Sequence, residues 1–149
     1  MTMLTPGGLE ADGRPLDPAH LENLRQVFRG ELIQRGHHGY EVARRVWNGN
    51  IDRRPALIAR CTGVADVQGA VEFAQLRGLV VSVRGGGHSA PGYGTNDGGL
   101  VIDMSPMKGI RVDPQRQTVR AEGGAEAPAS EQQAGRLALW QVRAIQMAA

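Results

Sequence analysis

Apolar positions along the chain follow two different periods. Between Asp17 and Gly36, residues Leu21, Leu24, Val27, Phe28 and Leu32 recur three or four positions apart, the spacing that gathers side chains on one face of a helix. Asp17 followed by Pro18 supplies an N-cap and a proline at the first helical position, so the pattern predicts a helix running up to Gly36. The segment from Tyr40 to Arg54 carries Trp47 and ends in an Asn48-Gly49-Asn50 turn signal before Asp52-Arg53-Arg54-Pro55. Short apolar runs then take over. Ala56 to Ala59 reads as a strand, and Thr62 or Gly63 starts a helix with Val64, Val67, Val71 and Ala74 on one face, Asp66 in its first turn and Gly78 at its end. Leu79 to Val83 reads as a second strand that leads straight into Arg84-Gly85-Gly86-Gly87-His88. Leu100 to Ile102 follows, and Ile110 to Val112 and Thr118 to Arg120 flank an Asp113-Pro114 turn as a hairpin does. The order predicts an α+β fold: N-terminal helices, then a small mixed sheet with a β-α-β unit and a glycine-rich loop.

The two ends differ from this middle. Residues 1–15 carry turn chemistry and almost nothing to bury, which predicts a flexible arm. From Glu126 to Ala149 the chain turns to alanine and glutamine, with a helical pattern around Leu137, Trp140 and Ile145. The expected partition is therefore 1–15, 16–125 and 126–149.

Composition narrows the classes. At 149 residues and 41% hydrophobic, the chain is one domain's worth, able to bury roughly 68% of its unfolded surface. The 17 basic and 15 acidic residues leave a formal charge of +2, too small to make nucleic acid or anionic lipid the expected partner. No stretch reaches the roughly 20 apolar residues of a membrane span, and the N-terminus has no apolar leader, so the expectation is a cytoplasmic protein. The single cysteine, Cys61, excludes an internal disulfide and a cysteine-rich zinc site, and reads as a small buried hydrophobe. His37-His38 lacks a third ligand at metal spacing, His20 reads as solvated, and Arg44-Arg45 and Arg53-Arg54 read as solvated charges at turns. The 21 glycines are about twice the usual share of roughly 7%.

The densest glycine run carries the candidate chemistry. Three glycines at a strand end let the backbone adopt torsions closed to other residues and bring successive N–H groups against a ligand, usually a phosphate or pyrophosphate. Taken alone, the run reads equally well as a tight turn. Gly85, Gly87 and Ala90 satisfy the dinucleotide fingerprint G-x-G-x-x-G/A, but that motif needs a helix to open at its end, and Pro91, Gly92, Gly94, Gly98 and Gly99 follow instead. A P-loop is excluded because no Gly-Lys-Ser/Thr follows.

The run Arg84-Gly85-Gly86-Gly87-His88-Ser89, with Gly98-Gly99-Leu100-Val101-Ile102-Asp103-Met104-Ser105 behind it, resembles the FAD-binding PCMH-type domain of the vanillyl-alcohol oxidase and p-cresol methylhydroxylase superfamily, most closely its berberine-bridge-enzyme-like oxidases. Trp47-Asn48-Gly49, Asp52-Arg53-Arg54-Pro55, Gly63-Val64-Ala65-Asp66-Val67, Val112-Asp113-Pro114 and Glu122-Gly123-Gly124-Ala125 fit the same pattern, over roughly Tyr40 to Ala125. The resemblance implies that Gly85, Gly86 and Gly87 cradle the FAD pyrophosphate, with Arg84 and Ser89 beside them. It implies that His88 bonds covalently to the flavin 8α-methyl group. It implies a flavin-dependent two-electron oxidation of an alcohol, sugar or amine with oxygen as acceptor. Cys61 lies too early to match the second flavin-linking cysteine of many relatives. The family pattern continues into a further flavin contact and a substrate domain that do not follow here. The expectation is an N-terminal portion with little activity of its own, its sequence replaced from about Ala125 by a frameshift or a gene-model error. The alternative expectation is a non-catalytic remnant or interaction protein that keeps the fold and binds no flavin.

Overall fold

The computed structural model describes residues 16–126 and the main chain of 144–148. Helix α1 spans Pro18–Val27, with the Asp17 carboxylate accepting the Ala19 N–H at 2.8 Å and Pro18 opening the first turn. The predicted continuation to Gly36 is corrected: α1 stops at Val27, and Glu31–Gln34 forms strand β1. Leu32 kept the helical spacing, but Gly30 is held beside the Arg60 carbonyl, where any Cβ would collide, and the chain beyond it pairs with the sheet. A single turn, α2, follows at Tyr40–Ala43.

Strand β2 (Leu57–Arg60), helix α3 (Val64–Arg77), strand β3 (Val81–Arg84) and strand β4 (Leu100–Asp103) complete the first sheet. Its order is β1-β2-β4-β3, with β1 antiparallel to β2 and the other neighbours parallel. The sheet is mixed, as expected, and β4 lies between the strands that α3 connects. Leu57, Ala59, Leu100 and Ile102 pack under α1 and α3 with Leu21, Leu24, Ala70, Phe73 and Ala74. Ile58 and Val101 point to the opposite face, onto Ile33, Tyr40 and Ala43. Burial on both faces explains why β2 and β4 read as continuous apolar runs rather than alternating ones.

The buried face of α3 is the expected one in part: Ala74 is buried and Val67 packs against the core. Asp66, Ala70, Phe73 and Ala74 are buried, whereas Val64 and Val71 are exposed. Asp66 can face inward because Oδ1 accepts the Arg29 N–H and Oδ2 accepts the Thr62 N–H and hydroxyl, each at 2.8 Å. Gly78 closes the helix in the left-handed region at φ 60°, which favours glycine. Cys61 is fully buried beside the core, and burial, with the nearby Asp66 and Asp103 carboxylates, pushes its thiol up to about 12.

The second sheet has the order β5-β6-β7: Ile110–Asp113, Thr118–Glu122 and Ala144–Ala148. The β5–β6 pair is the expected hairpin, and its Asp113 carboxylate caps the turn by accepting the Gln115 and Arg116 N–H groups. Strand β7 runs parallel to β6, which corrects the helix expected around Ile145; Leu137 and Trp140 lie outside the described residues, as does the arm at 1–15.

Candidate functional site

Strand β3 ends at Arg84, and from Gly85 to Gly99 the chain crosses the end of the sheet without forming a helix. A dinucleotide fold of the helix-opening kind is therefore absent from this connection. Gly85 sits against the Gly123 carbonyl, so closely that a Cβ would collide with it. This contact brings the Gly85-Gly86-Gly87 run beside the Gly123-Gly124 turn that follows β6. Gly87 has φ +73°, a torsion that side-chain-bearing residues rarely adopt. The exposed His88 lays its ring over Gly86, with ring atoms 2.7 and 2.8 Å from where a Cβ would stand. Ser89 turns the chain back, its hydroxyl accepting the Tyr93 N–H at 3.2 Å.

The loop is held by side chains and main chain far from it in sequence. The Trp47 N–H donates to the Gly87 carbonyl at 3.1 Å, and Asn48 Nδ2 donates to the Ala90 carbonyl at 2.9 Å. Arg53 donates to the carbonyls of Gly92 and Thr95 at 3.2 and 3.0 Å. Asp97 accepts the Arg54 N–H at 2.7 Å, while the Gly98 N–H returns to the Arg54 carbonyl at 3.0 Å. Asn96 finishes the loop by accepting the Gly99 N–H and donating to the Leu100 carbonyl and the Ser82 hydroxyl. The expectation that Arg44 and Arg53 are solvated is thus corrected. Arg44 pairs with Glu41 and Asp52, and Arg53 spends its guanidinium on loop carbonyls that a linear reading does not connect to it.

Arg84 is buried, with Nη2 on Asp103 Oδ2 at 2.7 Å and Nη1 on the Arg45 carbonyl at 3.1 Å. Burial alone would raise the Asp103 carboxyl, but the Arg84 hydrogen bond and charge, with the bonds from Ser105, hold it below the ordinary carboxylate range. Among the described residues, no carbonyl or side chain accepts the N–H groups of Gly85, Gly86, Gly87 or His88. Buried in the same loop, the Thr95 hydroxyl also has no partner among the described residues. Consecutive main-chain N–H groups on small residues are the kind of arrangement that can take an anion. The structure therefore brings Gly85 to His88 together at one open surface, with Ser89 as the turn behind it and the Arg84 side chain beneath it. Trp47, Arg53, Asn96 and Asp103 support the loop without having been assigned a site role from sequence; the signal for Trp47, Arg53 and Asp103 was their membership in the quoted motifs.

Comparison with known proteins shows the family of the domain that carries this loop. Residues 55–142 match the FAD binding domain family, a region that begins two residues before β2 and continues past Ala125. The chain is 41% identical over 97 residues to (R)-6-hydroxynicotine oxidase of Paenarthrobacter nicotinovorans, covering 65% of this chain and 21% of that protein. The crystal structure of 6-hydroxy-D-nicotine oxidase from Arthrobacter nicotinovorans superposes with a TM-score of 0.70 at 38% identity, over 73% of this chain and 24% of that one. A berberine-bridge-enzyme-like protein of Physcomitrella patens gives a TM-score of 0.58 at 30% identity, over 66% and 21% of the two chains. The fold is that of an FAD-binding domain. The chain belongs to the FAD-binding, PCMH-type domain family related to the berberine-bridge-enzyme-like FAD-linked oxidoreductases. It spans about one fifth of the length of the curated relatives it matches, 21% and 22% for the first two. No helix among the described residues is long and apolar enough to cross a membrane.

Proposed function

We propose that the main-chain N–H groups of Gly85, Gly86 and Gly87 hold the pyrophosphate of FAD, with His88 as the residue bonded to the flavin 8α-methyl carbon. The observation that carries this reading is the meeting of two glycine runs at Gly85 and Gly123, beside four consecutive amides without a described acceptor. The residues present fit the group. Small residues admit a phosphate to the main chain, and oriented N–H dipoles offset its charge without desolvating a cation. His88 is exposed on the same surface, within one residue of those amides. Arg84 acts from below the loop, because its guanidinium is already engaged by Asp103 and Arg45.

When bound, the flavin supplies two-electron oxidation, and the protein supplies binding, orientation and electrostatics. We assign the chain to the flavin-gripping portion of an oxidoreductase that oxidises a small alcohol, sugar or amine, with oxygen as acceptor. The groups that place substrate and take its proton belong, on this reading, to the remaining four fifths of such proteins. The 149-residue chain alone therefore turns over little or no substrate. Expression with FAD supplied tests the assignment: a yellow protein whose flavin survives acid precipitation, and loses that acid-stable fraction in His88→Ala, supports it. A folded chain that takes up no FAD favours a non-catalytic domain instead. Peroxide release by the purified chain on a panel of sugars, alcohols and amines would overturn the expected inactivity.

A further inference from the structure

We propose that Asp103 is the positioning residue of the glycine loop, acting through Arg84 to fix where Gly87 stands. The three parallel strands end in register, Arg60 beside Asp103 and Asp103 beside Arg84. At that end the Asp103 carboxylate, 1% exposed, takes Arg84 Nη2 at 2.7 Å, Arg60 Nε at 3.5 Å and the Ser105 N–H at 3.1 Å. Arg84 then uses its second Nη to reach the Arg45 carbonyl at 3.1 Å. Two residues further, the Trp47 N–H holds the Gly87 carbonyl at 3.1 Å. A continuous path thus runs from the sheet end through Arg84 and the 45–47 segment to the glycine whose φ is +73°. The Arg84 stem also underlies the loop, its Cδ 3.6 Å from the Cβ position of Gly87 and its Cβ and Cγ 3.6 Å from that of Gly94.

A buried ion pair is seldom the most stabilising way to fill such a place, and well-packed apolar residues often do as well or better. What an apolar pair cannot do is bind a carbonyl on one side and a carboxylate on the other in a fixed fork, which the guanidinium does. Asp103 orients that fork. This role rests on the loop being the pyrophosphate cradle for its consequence in binding, but its effect on loop order is readable without any flavin.

Two variants test it, with FAD as the probe and amide hydrogen exchange as the second readout. Asp103→Asn keeps the shape and removes the charge that orients Arg84. Arg84→Lys keeps the cation facing Asp103, but one ammonium does not bridge to the Arg45 carbonyl. In either variant, folded by circular dichroism, exchange at the Trp47 amide rises by about two- to tenfold, the loss of one hydrogen bond's worth of order, and FAD affinity falls by a similar factor. Freeing Arg84 in Asp103→Asn weakens binding here. If Arg84 instead touched the phosphates directly, its release would strengthen binding, and that result would overturn the proposal. Wild-type exchange and affinity in Arg84→Lys would also overturn it, as would failure of that variant to fold, since the pair would then serve the sheet rather than the loop. Faster exchange in both variants, with no FAD uptake even by the wild type, supports the positioning role and overturns the flavin assignment instead.

Discussion

The connection from Gly85 to Gly99 and the hairpin from Ile110 to Glu122 are held in opposite ways. The first has no regular secondary structure, yet Thr95, Asn96 and Gly99 within it are buried and its carbonyls are met by Trp47, Asn48 and Arg53. The second is a regular antiparallel ladder in which Arg111 stands directly opposite Arg120, both exposed. Arginine serves as a half-buried brace in one region, through Arg53, and as a solvated surface charge in the other. Order in this molecule therefore follows where a residue's polar groups find fixed partners, not whether the chain forms a ladder there.

This contrast predicts a descending series of effects. Asp103→Ala leaves the buried Arg84 charge without its carboxylate, and equilibrium urea unfolding is expected to show a loss of about 3–5 kcal/mol. Gly85→Ala drives a methyl group into the Gly123 carbonyl; a loss of about 1–3 kcal/mol is expected, together with weaker FAD uptake, measured by urea melts and flavin absorbance. The same substitution at Gly49 or Gly63, where a Cβ meets nothing within 4 Å, is the control that shows no such clash.

Acid acts on the stability that the buried carboxylates contribute. The Asp66 and Asp103 carboxyls are pushed up by burial but held lower still by their hydrogen bonds, so both lie below the ordinary value in the folded protein. The unfolded chain then binds more protons as pH drops past about 3.9, so the stability these groups contribute is complete above that value and lost as pH falls through their folded values. Urea midpoints measured from pH 6 downward should decline in the wild type and less steeply in Asp66→Asn, starting from a lower plateau. The smallest effect belongs to the hairpin: Arg111→Thr removes a like-charge cross-strand pair and should stabilise by about 0.2–0.5 kcal/mol, with a matching rise in melting temperature.

Several elements were readable before the structure because their causes are local. The Asp17-Pro18 start of α1, the Gly78 end of α3, the buried runs of β2 and β4 and the Asp113-Pro114 hairpin all depend on neighbouring residues in the chain. The misread elements depend on distant ones. Leu32 continued a helical spacing, but the partners of β1 are Leu57 to Arg60. Val64 and Val71 looked like a buried stripe, whereas Asp66 took the inner face because Arg29, which lies 37 residues away, supplies it with an N–H. Arg53 looked solvated because its acceptors lie 39 and 42 residues further on.

A strand delivering Gly85, Gly86, Gly87 and His88 into a loop that resists helix formation is legible along the chain, since glycine and proline torsions are local properties. The sequence also carried the family likeness that made FAD the expected ligand. Long-range packing closes Gly123 against Gly85, sets Trp47 and Arg53 to hold the loop, and turns Arg84 inward onto Asp103. A hydrogen bond or ion pair between distant segments forms only after the sheet has set their register. No spacing rule along the chain encodes which carbonyl a buried guanidinium will reach.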